Sequence, residues 1–107
     1  MAFLCLLTLE LHLPESSGLK GKRKEIKSLK AQLHGRFGAA VAETGHHELW
    51  QRSTLTVALV ARERRRVDES ADAVQRFTES RFGDWVRWNR RTFSTDDLGE
   101  LEWPRSA

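Results

Sequence analysis

Residues 3–13 have the sequence FLCLLTLELHL, in which every odd-numbered residue is apolar. Thr8, Glu10 and His12 fall on the even-numbered positions between them. Because side chains alternate between the two faces of a β-strand, this period of two predicts a strand with one buried face. The strand lies within residues 1–13, and the turn-forming sequence PESSG at residues 14–18 ends it.

The residues that follow change to a helical period. Their apolar positions fall within a narrow arc when each residue advances by 100°, which predicts a helix over 19–37 that Gly38 ends. A similar spacing from Val67 to Phe77 predicts a second helix, which Gly83 ends. The remaining predicted elements are strands at 39–44, 53–62 and 84–93 and a loop at 45–52. Four apolar residues of the last strand fit neither phase cleanly: Trp85, Val86, Trp88 and Phe93.

The order strand, helix, strand, strand, helix, strand predicts an α+β fold of the ferredoxin-like split βαβ type. Its four-stranded antiparallel sheet would carry both helices on one face. Right-handed crossovers would place strand 1 between strands 3 and 4, with strand 2 at an edge. We expect this domain to span residues 1–93 and an acidic, flexible C-terminal tail to span 94–107.

Length and composition restrict the class of protein. A chain of 107 residues with 39% hydrophobic content supports one domain and excludes two independently folded ones. A single cysteine, Cys5, excludes an internal disulfide and favours a reducing cytoplasm. The apolar run at residues 2–7 is too short for a secretion signal, and no stretch is long enough to cross a bilayer. We therefore expect a soluble cytoplasmic protein without a membrane partner.

Several separated motifs resemble the YlxP-like family of small bacterial proteins. They are LELHLP at 9–14, SGLKGKR at 17–23, IKSL at 26–29 and VAETGHHELWQR at 41–52. The likeness covers roughly residues 1–93, with the motifs in the family's order and spacing. It implies a ferredoxin-like domain in the bacterial cytoplasm, from a family often encoded beside transcription and translation factors. The family has no established biochemical activity, so the resemblance informs the fold more than the function.

Basic residues are concentrated in the first part of the chain. Residues 1–67 contain twelve Lys and Arg against six Asp and Glu, whereas residues 68–107 contain six against nine. In the predicted topology, the ends of strands 1 and 2 and the start of helix 1 meet at one rim of the sheet, here called the upper rim. Cations in a first helical turn oppose the helix dipole by about 0.3–1 kcal/mol each, and a bound anion would reverse that sign.

The basic clustering predicts a non-enzymatic module that contacts RNA or a ribosome-associated assembly. The predicted nucleic-acid-binding residues are Lys20, Lys22, Arg23, Lys24, Lys27, Lys30, His46, Trp50 and Arg52. The alternative for the lysines is that they only solvate an exposed helix face. Trp50 also has two interpretations, since it either closes the loop over the core or stacks on a base beside Arg52.

Catalytic and metal-binding hypotheses are weaker. The run from Glu43 to Glu48 contains His46 and His47, but adjacent histidines in an extended chain point apart and no cysteine is near. Ser16 and Ser17 near His12 lack an identifiable oxyanion donor and orienting acid. The sequence therefore predicts no catalytic residues, no metal site and no cofactor.

The sheet face opposite the helices, here called the helix-free face, predicts a protein partner. Its lower half is apolar in three strands, through Leu4, Leu6, Ala40, Ala42, Ala58 and Val60. An exposed apolar half-face is an aggregation liability unless it is covered, so we expect two copies to pair through it. The alternative is that the acidic tail folds over this half-face and covers it. The alternative function is a protein–protein adaptor or homodimeric scaffold that binds no nucleic acid.

Overall fold

Two helices and four strands alternate in the order predicted from the sequence. The computed structural model describes residues 1–99, and all statements below concern those residues. The elements are β1 (Phe3–His12), α1 (Leu19–Phe37), β2 (Ala40–Gly45), β3 (Arg52–Ala61), α2 (Arg64–Phe82) and β4 (Val86–Ser94). Short 3₁₀ turns at Gly83–Trp85 and Thr95–Leu98 flank β4.

The four strands form one sheet in the order β2-β3-β1-β4, and all neighbours are antiparallel. The predicted α+β ferredoxin-like fold is thereby confirmed, with β1 in the centre and β2 at an edge. Since β1 and β2 run in the same direction, His12 and Gly45 both lie at the upper rim. The start of α1 joins them there, six residues after Leu13.

The core lies between the sheet and the two helices. The odd-numbered residues of β1 and β3 face the helices, and Leu7, Leu9, Leu55 and Val57 among them are fully buried. Each such side chain contributes about 1.5–3 kcal/mol when it is fully removed from water. The helices close this layer with Leu29 and Leu33 of α1 and with Val67, Ala71 and Val74 of α2. Within residues 1–99, neither helix combines the length and the apolar character that crossing a bilayer requires.

Glycines end both helices, as predicted. Gly38 adopts the left-handed conformation with φ 65°, and Gly83 has φ 56°, a region that side chains with a Cβ rarely occupy. The observed limits of β2 and β3 differ by about one residue from the predicted ones, which is the usual uncertainty of strand ends. The predicted start of β4 was early, because Gly83–Trp85 forms a 3₁₀ turn before the strand.

The first part of the predicted tail belongs to the folded domain. β4 extends to Ser94, which forms a capping box with Asp97 at the start of the second 3₁₀ turn. The Thr95 amide donates to the Ala2 carbonyl at 2.9 Å, so this turn lies at the rim opposite the start of α1. Residues 100–107, with the acidic Glu100 and Glu102, lie outside the described residues.

Candidate functional site

Lys22 lies beneath the 46–51 loop and not on the exposed face of α1. The side chain is 1% exposed, and its Nζ lies 3.0 Å from Glu43 Oε2. Nζ also donates to the carbonyl oxygens of His46 and His47. An ammonium group has three N–H donors, so all of them are used. Lys22 is therefore unavailable to an external phosphate, and its place among the nucleic-acid-binding residues was wrong.

Glu43 is the carboxylate that makes burial of Lys22 possible. It lies on the helix side of β2 and also accepts a hydrogen bond of 2.6 Å from Ser53 Oγ. Burial alone would raise the pKa of Glu43. The hydrogen bonds from Ser53 and Lys22, together with the charge of Lys22, outweigh that effect and lower the pKa below its ordinary value. The ionised pair joins α1, β2 and the loop that follows β2.

The 46–51 loop is held in a defined conformation at both ends. His46 has φ 59°, a left-handed conformation that costs a non-glycine residue about 1 kcal/mol or more, and its carbonyl accepts a hydrogen bond from Lys22. At the entry, a Cβ on Gly45 would lie 3.0 Å from the Thr54 side chain, so any larger residue would force Thr54 to move. At the exit, the Leu13 amide donates to the Gln51 carbonyl at 2.7 Å. The loop is thus a fixed platform at the upper rim.

The platform presents apolar and imidazole groups to solvent. Trp50 is 43% exposed, so it does not close the core, and Leu49 beside it is also exposed. His46 Nε2 lies 3.8 Å from Glu10 Oε2 on β1. The His47 ring donates to the Glu43 carbonyl at 3.0 Å. Trp50 is therefore a partly exposed ring on the loop and does not pack against the core.

The other predicted basic residues of α1 lie on its solvent side. Lys20, Arg23, Lys24 and Lys27 are exposed and Lys30 is half-buried. No ion pair within residues 1–99 involves any of the five. The half-buried Glu25 of the same helix forms none either. α1 has no acidic residue in its first turn and no side-chain cap at Gly18. The start of this helix therefore has uncompensated positive charge.

The first turn of α2 provides an internal comparison. It too lacks acidic residues, and it contains Arg64, Arg65 and Arg66. Each of these arginines, however, has a carboxylate within 4 Å, supplied by Asp68, Glu69 and Glu63 respectively. Both helices thus begin with a cluster of exposed basic residues. Nearby carboxylates neutralise the cluster in α2, whereas the cluster in α1 has no carboxylate partner within residues 1–99.

A groove on the upper half of the helix-free face brings Arg52, which was predicted to bind nucleic acid, together with residues that the sequence analysis missed. Its volume is about 610 Å³, and its lining includes Glu10, His12, Arg52, Trp85, Arg87 and Asn89. Arg87 lies opposite Glu10, and Arg52 lies opposite His12. Only the pairing register of β4 places Arg87 and Asn89 on this face, because the sequence of β4 has no clean period.

The lower half of the helix-free face is mainly apolar, and Arg91 of β4 is a charged exception that the sequence analysis did not place there. Val60 is 70% exposed, and Leu6 and Ala40 are also exposed. Pairing with β4 adds Phe93 beside Leu4 and Arg91 beside Leu6. The six predicted interface residues therefore share one surface: Leu4, Leu6, Ala40, Ala42, Ala58 and Val60.

Comparison with known proteins shows the family. A family model described as "Protein of unknown function (DUF503)" matches residues 4–89. The chain belongs to the DUF503 family. The matched segment includes all of α1, the 46–51 loop and the Lys22–Glu43 pair.

Two further similarities agree with this assignment. The DUF503 chain is 26% identical to "Uncharacterized protein YlxP" of Bacillus subtilis (strain 168) over 66 residues, which cover 62% of this chain and 72% of YlxP. The resemblance to YlxP-like proteins that the motifs indicated is thereby confirmed. Among solved structures, "De novo designed protein Foldit4" matches with a TM-score of 0.57 and 9% identity, covering 89% of this chain and 99% of that one. A likeness at that identity supports the fold alone.

Proposed function

We propose that this DUF503 protein is a non-enzymatic cytoplasmic module that binds RNA, or an RNA-rich assembly such as the ribosome, through the exposed face of α1 and the upper rim. The observation that supports it is the set of cations on α1 without carboxylate partners. Lys20, Lys24 and Lys27 form a stripe along the helix, in which like charges four residues apart cost about 0.2–0.5 kcal/mol per pair. A polyanion bound along the stripe would convert this repulsion into attraction.

The start of α1 adds backbone donors to the same surface. The first amides of a helix lack intrahelical acceptors, and no side chain caps them at Gly18. Backbone N–H groups and the positive end of the helix dipole favour a phosphate at this position. Basic side chains and backbone donors therefore favour the same ligand charge.

The fixed loop supplies a different kind of contact. Trp50 offers an exposed aromatic ring, and stacking of one base on such a ring contributes about 1–3 kcal/mol. Arg52, which follows the loop, and His46 within it add polar groups at the same rim. Because Lys22 and Leu13 already hold the loop, little conformational entropy is lost when it binds.

Charge reversal on the two helices tests the proposal. We expect the full chain to bind a fluorescent single-stranded RNA with an affinity that falls as salt rises, with a slope of about −0.7 per phosphate contact. The triple change Lys20→Glu, Lys24→Glu and Lys27→Glu should abolish binding, measured by anisotropy at low salt.

The matched control is the triple change Arg64→Glu, Arg65→Glu and Arg66→Glu, which alters the net charge equally at the start of α2. It should weaken binding far less, because these arginines already have carboxylate partners. Equal losses in the two triples would show that only net charge matters. Absence of binding by the wild type at low salt would overturn the RNA proposal.

The second candidate function is that of a homodimeric scaffold or a protein–protein adaptor, which would act through the lower half of the helix-free face. The supporting observation is the exposure of Val60 and Leu6 on a surface whose other residues are mainly small and apolar, with Arg91 beside Leu6. We propose a second copy as the occupant, since a flat apolar patch is complementary to itself across a two-fold axis. This function is compatible with RNA binding, because α1 and the upper rim remain free in such a pair.

A further inference from the structure

The groove on the upper half of the helix-free face has the groups that a single nucleotide requires. We propose that it binds one unpaired nucleotide of the RNA, with a preference for guanine. The inference rests on the proposed RNA-binding function and adds to it a specific position and base. A volume of about 610 Å³ lies in the range of small-ligand sites, about 300–1,000 Å³.

An aromatic pair forms one wall of the groove. Trp85 is 50% exposed, and its ring packs edge to face on His12, with 4.9 Å between the ring centroids and 84° between the planes. This contact holds Trp85 in place while half of its surface stays open to solvent. An exposed, fixed indole is the type of side chain on which unpaired RNA bases stack.

The charges of the groove favour a nucleotide over a bare polyanion. Arg52 on β3 and Arg87 on β4 lie on either side of β1, and neither forms an ion pair with another described residue. Glu10 and Asp84 balance these two cations. A ligand that suits this mixture has an anionic phosphate for an arginine and N–H donors for a carboxylate. A nucleotide has both.

Glu10 is the residue that would recognise the base. Its Oε2 accepts a hydrogen bond of 2.9 Å from Thr54 Oγ1 and lies 3.8 Å from His46 Nε2, so the carboxylate is oriented from both β3 and the loop. A carboxylate has about four acceptor sites, and Thr54 uses one of them. Guanine offers two adjacent donors, at N1 and N2, whereas adenine and cytosine offer one amino group beside an acceptor nitrogen and uracil has a single N–H between two carbonyl oxygens. The carboxylate therefore favours guanine.

Nuclear magnetic resonance titration of the ¹⁵N-labelled full chain tests this inference with mononucleotides. Guanosine monophosphate should shift the Trp85 indole N–H and the amides of residues 84–89 in a saturable manner. Inosine monophosphate lacks only the N2 amino group and should bind roughly ten- to a hundredfold more weakly, the loss expected for one hydrogen bond to a charged group. Glu10→Gln should remove most of that difference.

Two arginines on the same face of β4 provide a matched control. Arg87→Ala should weaken guanosine monophosphate binding, whereas Arg91→Ala should not. Arg91 is exposed on the same face of the same strand but lies outside the groove. Equal effects of the two changes, or equal binding of the two nucleotides by the wild type, would overturn the assignment.

The experiments distinguish failure of the nucleotide inference from failure of the RNA proposal. If a long RNA binds and no mononucleotide shifts the groove signals, the nucleotide inference is wrong and the RNA proposal stands. If neither binds, both are wrong. The triple reversal on α1 should abolish binding of long RNA yet leave guanosine monophosphate in the groove. Stronger shifts with a dipeptide than with any nucleotide would make the groove a peptide site and overturn the inference.

Discussion

At the scale of single residues, Lys22 is the cation that stabilises the domain from within. We predict that Lys22→Met lowers the free energy of unfolding by about 3 kcal/mol, because Glu43 and two loop carbonyls lose their donors in a buried setting. Urea unfolding at neutral pH measures this. Lys24→Met is the matched control, since Lys24 is exposed on the same helix, and it should change stability by less than about 0.5 kcal/mol. Similar effects of the two changes would contradict the structural role of Lys22.

The ionisation of Glu43 in the Lys22–Glu43 pair predicts that the free energy of unfolding depends on pH. The pKa of Glu43 in the folded state lies below the ordinary value of 4.5, so its stabilising contribution is fully present above that pH. The contribution should be lost as the pH falls through the lower, folded pKa. Glu43→Gln should therefore be less stable than the wild type at pH 7, and the difference should shrink as the pH drops below about 4.5. A difference that does not vary with pH would contradict the ionised pair.

The burial of Lys22 was visible in the sequence, although the sequence analysis missed it. Lys22 lies four residues before Ile26, on the same arc as the buried Leu29 and Leu33. A helical arc turns every residue on it toward the core, and a lysine in that position stays buried only if a partner compensates its charge. Glu43, on the helix side of β2, was the available partner. The strained φ of His46, by contrast, follows from tertiary contacts and has no signal in the sequence.

At the scale of elements, the Arg90 side chain connects β4 to α2 through hydrogen bonds. Its guanidinium donates to Asp72 at 2.6 Å and to Gln75 at 2.8 Å, and it also lies 3.4 Å from Asp68. The hydrogen bond to Asp72 is the main cause that raises the pKa of Arg90. We predict that Arg90→Met lowers the free energy of unfolding by about 2 kcal/mol, since charged hydrogen bonds are lost at a half-buried site.

Arg91 is the control for that prediction. It follows Arg90 directly, faces the opposite side of the sheet, is exposed and forms no ion pair within residues 1–99. Arg91→Met should leave the urea midpoint almost unchanged. If both variants lose the same stability, the contact between β4 and α2 does not depend on Arg90.

The elements differ in how well the sequence predicts them. β1 and the two helices have long, regular periods and end at glycine or at a Pro-containing turn, so their limits were nearly correct. β4 was predicted two residues early because the Gly83–Trp85 turn depends on how α2 meets the sheet. The same turn puts Trp85 beside His12, and that placement created the groove that was missed.

At the scale of the whole molecule, the helix-free face divides into an apolar lower half and a polar upper half. We predict that the wild type has a solution mass of twice 12.3 kDa by light scattering, because two lower halves cover each other. Leu6→Glu should produce monomer. Thr8→Glu, on the same face of the same strand but in the upper half, should leave the dimer intact. A monomeric wild type would contradict the proposed pairing.

The upper rim is predictable from the topology alone. The order of elements alone brings the start of α1, the end of β1 and the loop after β2 to one end of the sheet. The difference in ion pairing between α1 and α2 could not be predicted in the same way, because it depends on side-chain positions. That difference now supports the functional proposal more strongly than the net charge of +3 does.

The most direct test of the RNA proposal is to map amide shifts of the full chain during titration with a single-stranded RNA at low salt. The charge distribution predicts the largest shifts in residues 20–27 at the start of α1 and in the 46–52 segment, with residues 64–66 at the start of α2 unmoved. Shifts confined to α2, or no shifts at all, would contradict the proposal that the open cations of α1 bind phosphate.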